Sequence, residues 1–97
     1  MNVGVAKINL RIPENQTLKG KRQVLHSIIA KVRDKFNVAV AEVDNGDRWQ
    51  IATIGISYVS NDNRHANEVM DHIVDYICSS RLDVEVLECE VETLSVF

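Results

Sequence analysis

Ninety-seven residues leave room for one domain with one core, read as a single unit over residues 1–97. A charged fraction of 26% against a hydrophobic fraction of 45% excludes a disordered chain, and no apolar run reaches the roughly 20 residues of a membrane span. The net charge of −3 hides an asymmetry: residues 1–35 hold eight basic side chains against two acids, and the remainder holds three against twelve. Such a layout either steers an anionic partner to one side or is neutralised within the fold. The start, Met1-Asn2-Val3-Gly4-Val5, has neither the basic opening nor the apolar run of a signal peptide, so a cytoplasmic location is expected.

Val3 to Ile12 alternates, with Gly4, Ala6, Ile8, Leu10 and Ile12 on one face, as a half-buried strand requires. Pro13 cannot donate to a ladder and ends it. Thr17 is a plausible N-cap for a helix over Leu18 to Phe36, whose stripe is Leu18, Leu25, Ile28, Ile29, Val32 and Phe36. Gly20 weakens the first turn by up to about 1 kcal/mol relative to alanine. A second strand follows over Val38–Val43, and Asn45-Gly46 signals a tight hairpin into a third strand, Trp49–Ser60. Ser60-Asn61-Asp62 offers caps for a second helix to about Ser80, with Ala66, Val69, Met70, Ile73, Val74 and Ile77 inward. A last strand, Val84–Leu94, sets Leu87, Cys89 and Val91 on one face and Val86, Glu88, Glu90 and Glu92 on the other.

The order β-α-β-β-α-β specifies an α+β, ferredoxin-like sandwich: a four-stranded antiparallel sheet with both helices on one face. Strands one and four are then neighbours, which places Lys7 and Arg11 near Glu88, Glu90 and Glu92 on the open face.

Basic side chains border the first helix's stripe. Arg11, Lys19, Lys21, Arg22, His26 and Arg33 form the candidate RNA- or anion-binding set, because phosphates are held by such clusters near a positive helix end. Trp49 reads as an edge residue closing the core, with an exposed binding anchor as the alternative. Cys78 and Cys89 have no metal spacing and read as reduced packing residues. His65, Glu68 and His72 share helical spacing but lack a further convergent ligand, so no metal is assigned. No catalytic signature or cofactor motif occurs, and a non-enzymatic role is expected. Val3, Val5 and Val86 on the uncovered sheet face suggest a homodimer through that face.

Several stretches carry a resemblance: Leu10-Arg11-Ile12-Pro13-Glu14, Leu18-Lys19-Gly20-Lys21-Arg22, Ala41-Glu42-Val43-Asp44, Asp47-Arg48-Trp49-Gln50, and Val59-Ser60-Asn61-Asp62 with His65-Ala66. In these the chain resembles the YlxP-like family, small bacterial proteins of unknown function, from Val3 to about Val91. Thr17 stands where serine is expected, and Gly20 where an acidic residue is expected, which makes the basic cluster more positive. Members are often encoded beside translation and ribosome-maturation genes. The resemblance therefore implies an accessory role at ribosomal RNA or a ribosomal subunit.

Overall fold

Alternation in the first strand decides which side of the sheet receives the helices. In the computed structural model, which describes residues 1–97 apart from the Asn63 side chain, β1 (Asn2–Arg11) buries Gly4, Ala6, Ile8 and Leu10 on one face. The other elements are α1 (Leu18–Lys35), β2 (Ala39–Asp44), β3 (Ile51–Ser60), α2 (Asn63–Ser80) and β4 (Glu85–Ser95). The sheet order is β2-β3-β1-β4 with every neighbour antiparallel, the expected ferredoxin-like arrangement. Ile12 N–H still donates to Gln50 O at 2.8 Å, and Pro13 ends the ladder there.

The core is the layer between β1 and β3 and the helix stripes. Ile8, Leu10, Ala52 and Ile54 meet Leu25, Ile28 and Val32 of α1 and Met70, Ile73 and Ile77 of α2, all buried. Thr17 caps α1 by accepting from Gly20 N–H, and Asp62 caps α2 by accepting from Arg64 N–H. Phe36 lies just past α1 and packs edge-on against Tyr76 of α2, ring centroids 5.8 Å apart.

Three local expectations are corrected. The β2–β3 connection is longer than an Asn-Gly hairpin. Asn45 takes φ 60°, Gly46 does not adopt positive φ, and Arg48 N–H closes a turn onto Asn45 O. Trp49 therefore lies in the connection, outside β3. In β4 a register shift opposite Asn9/Leu10 sets Val86 against Leu10 and Glu88 against Asn9, which leaves Leu87 unpaired in between. Val86 thus joins the helix-side face and leaves the open one. Cys78 and Cys89 are both exposed, because Cys78 points off the far side of α2 and Cys89 lies on the edge strand.

The charge asymmetry is partly consumed inside the fold. Lys7 pairs with Glu90 at 3.7 Å and Arg11 with Glu85 at 3.9 Å across β1 and β4. Both pairs are solvent-exposed and contribute at most about 1 kcal/mol each.

Candidate functional site

The first turn of α1 is built around Lys21. Positions 21, 25, 28 and 32 follow helical spacing, so Lys21 occupies the first slot of the buried row. Its side chain is fully buried. The ammonium donates to Asn45 O at 2.5 Å and Ile51 O at 3.0 Å, and lies 3.4 Å from Glu42 Oε2. A cation can be buried there because three oxygens converge on it at the end of the β2–β3 pair. Lys21 holds the hairpin onto α1 and presents no charge to solvent. It leaves the candidate binding set.

Two more members are spoken for elsewhere. Arg11 extends from the sheet face opposite α1, beside Glu85. Arg33 lies roughly 20 Å along the helix axis from Lys19, and its Nη2 donates to Val40 O at 2.7 Å, capping the edge strand β2. Lys19, Arg22 and His26 remain together. They are exposed, and with Gln23 they line one shallow hollow along the outer flank of α1. Arg22 and His26 also border a second hollow with Glu42 on β2. The first turn of α1 contains no acidic residue, so the positive helix end reinforces Lys19 and Arg22.

The connection after β2 meets this flank at its N-terminal end. Asn15 Nδ2 donates both to Thr17 O at 2.7 Å and to Trp49 O at 2.5 Å, joining the cap of α1 to the loop. A Cβ on Gly20 would collide with Asn15 Oδ1, so glycine gives the bridging side chain its place. Gln50 Nε2 donates to Pro13 O and Asn15 O at 3.1 and 3.0 Å. Asn45 Nδ2 donates to Thr53 Oγ1, which donates on to Asn9 Oδ1. The backbone of residues 45–50 is thus braced at several points while the Trp49 side chain stays 58% exposed. Trp49 does not close the core. Its strand-like place in the sequence hid this, and the polar run Asn45-Gly46-Asp47-Arg48 before it was the available signal.

The remaining titratable groups give no second centre. His65 stacks edge-on with Tyr58 at 5.9 Å, and no group of three potential ligands converges on a metal among the described residues. Burial and then the charge of Asp71 push the Cys89 thiol above its ordinary value, which makes it a poorer nucleophile. Among the described residues, no helix is long and apolar enough to cross a membrane.

Comparison with known proteins agrees with this architecture. Residues 3–91 match the family described as "Protein of unknown function (DUF503)". The chain is 32% identical to the "Uncharacterized protein YlxP" of Bacillus subtilis (strain 168) over 77 residues, covering 79% of this chain and 84% of that protein. Among solved structures it is similar in fold to the de novo designed protein Foldit4, with a TM-score of 0.56 at 17% identity and full coverage of both chains. A C-terminal segment of the alpha subunit of aIF2 from Pyrococcus abyssi gives a TM-score of 0.52 at 17% identity, over 98% of this chain and 50% of that one. The chain belongs to the YlxP-like DUF503 family.

Proposed function

We propose that this protein is a non-enzymatic RNA-binding accessory module, acting in the cytoplasm at ribosomal RNA or a ribosomal subunit. The observation that carries the reading is the exposed cluster Lys19, Arg22 and His26 on the α1 flank. Among the described residues these cations have no acidic partner within 4 Å, whereas Lys7 and Arg11 pair with acids across the exposed sheet face and Lys21 pairs with Glu42 in the interior. Phosphates fit such a cluster at a positive helix end.

Lys19 and Arg22 together neutralise about two phosphates, for a log-log salt slope of about −1.4 on single strands. Affinity then weakens about sevenfold over a roughly fourfold rise in salt. Co-sedimentation with ribosomal subunits and free ribosomal RNA at low and physiological salt tests this, with Lys19→Glu/Arg22→Glu alongside. Lys21 is kept in that variant, because reversing a buried lysine would unfold the protein instead of probing the surface. Salt-sensitive association lost in the variant supports the reading, and no association at low salt refutes it.

The open sheet face supports a second reading, self-association. Val59 and Leu94 are exposed there beside the half-buried Val3 and Val5. Val5→Lys would disperse such an oligomer in sedimentation velocity, whereas Lys19→Glu/Arg22→Glu would leave it intact.

A further inference from the structure

A large aromatic ring held in the open by a braced backbone requires an explanation. Trp49 is 58% exposed, yet its loop is fixed by Asn15, Gln50, Lys21 and the Arg48–Asn45 turn. An exposed tryptophan costs stability relative to a buried one, and an ordered loop beneath it means little entropy is lost when something lands on the ring.

Two occupants compete, a protein and a nucleobase. An anchor in a protein interface is normally surrounded by apolar groups that exclude water. The loops on either side of Trp49 are mostly polar, Glu14, Asn15, Asp47, Arg48 and Gln50, with Pro13 their one large apolar residue, and Trp49 is not part of the hydrophobic core cluster. The Asn15 bridge brings the Trp49 backbone to Thr17, the cap of α1, two residues before Lys19 in the cationic first turns of the helix. Asp47 and Glu14 repel phosphate from the loop itself while leaving the uncharged face of a base free to stack. Backbone on the α1 flank and base on the ring is the arrangement that satisfies both charge patterns.

We propose that Trp49 is a stacking platform for an unpaired base of RNA whose phosphates run along Lys19 and Arg22, so that the protein prefers single-stranded over duplex RNA. The inference rests on the RNA-binding reading above. A paired base is stacked on both faces and cannot cover the ring, which is the source of the preference.

Trp49 is the single tryptophan of the chain, so its emission reports on this ring alone. The test is titration of the whole protein with a short oligouridylate, an RNA duplex of equal length and heparin, read by Trp49 fluorescence and by anisotropy of labelled ligand. The expected result is quenching by oligouridylate in step with binding. Trp49→Ala should weaken oligouridylate about tenfold or more with an unchanged salt slope, Trp49→Phe should largely restore it, and heparin affinity should not move. Oligouridylate binding that persists undiminished in Trp49→Ala overturns the platform alone and reassigns the ring to a protein contact. Failure of the wild type to bind either RNA at low salt overturns the RNA reading together with it.

Discussion

Replacing Lys21 with methionine keeps a stem of similar length and removes the charged head. Asn45 O and Ile51 O lose donors at 2.5 and 3.0 Å, and Glu42 loses a partner at 3.4 Å. Hydrogen bonds from a charged donor are worth about 1.5–3 kcal/mol each. Two effects work against that loss. Asn45 O retains the donation from Arg48 N–H at 3.1 Å, and the desolvation cost of a buried ammonium disappears. Glu42, its side chain 32% exposed, rehydrates and leaves no buried charge behind. The net expectation is a loss of about 2 kcal/mol, or a fall in Tm of about 8–16 °C for a domain of this size. Urea unfolding followed in parallel by far-UV circular dichroism and by Trp49 emission measures it, with coincident transitions securing the two-state analysis. A Lys21→Met protein as stable as the wild type would mean that desolvation cancels the three oxygen contacts, and that the hairpin is not held by Lys21. Lys21→Glu should be worse than Lys21→Met, since it would set a carboxylate among three acceptors.

Gly20→Ala should destabilise by about 1 kcal/mol despite alanine's higher helix propensity, because its Cβ displaces Asn15 from the bridge between Thr17 and Trp49; thermal unfolding reads the sign. Asn45→Ala should lose about 1–2 kcal/mol, combining the strain of alanine at φ 60° with the loss of the donor to Thr53, and Asn45→Gly should recover the conformational part in the same assay. The hydrogen bonds from Arg81 lower the Asp83 carboxyl below its ordinary value, against a smaller opposing effect of burial. A lowered folded-state value stabilises above the unfolded value of about 4 and is lost as pH falls through the lowered one. Asp83→Asn should therefore flatten the decline of the urea midpoint below about pH 4, and an unchanged acid limb would assign that decline to other carboxyls.

Periodicity made most of the fold legible. The alternation of β1 and β3 and the stripes of both helices fall where the residue spacing puts them, and the β-α-β-β-α-β order leads directly to β1 between β3 and β4. Two departures in the strands have a common physical cause: period two survives only until a residue is inserted. The bulge at Leu87 returns Val86 to the helix side, and the turn at Asn45 extends the β2–β3 connection past Trp49. The bulge leaves no mark in composition and becomes visible only when the partner strand fixes the register, whereas the polar run Asn45-Gly46-Asp47-Arg48 does mark the longer connection.

The candidate site is legible in the sequence as a charge pattern but not as a surface, because residue type sets charge while position in the helix and loop sets burial. Lys21 stands at the spacing of Leu25, Ile28 and Val32, and position overrules charge once three oxygens meet the ammonium. Trp49 stands next to a strand, and its hydrophobicity pointed inward, yet the loop beneath it satisfies its own backbone and leaves the ring out. The two are linked through the same loop. Lys21 grips the loop at Asn45 and Ile51, on either side of Trp49, and Asn15 grips Trp49 itself across the gap that Gly20 leaves. Gly20 thus leaves the first turn of α1 without an acid at that position, and it admits the side chain that ties the Thr17 cap to the Trp49 backbone.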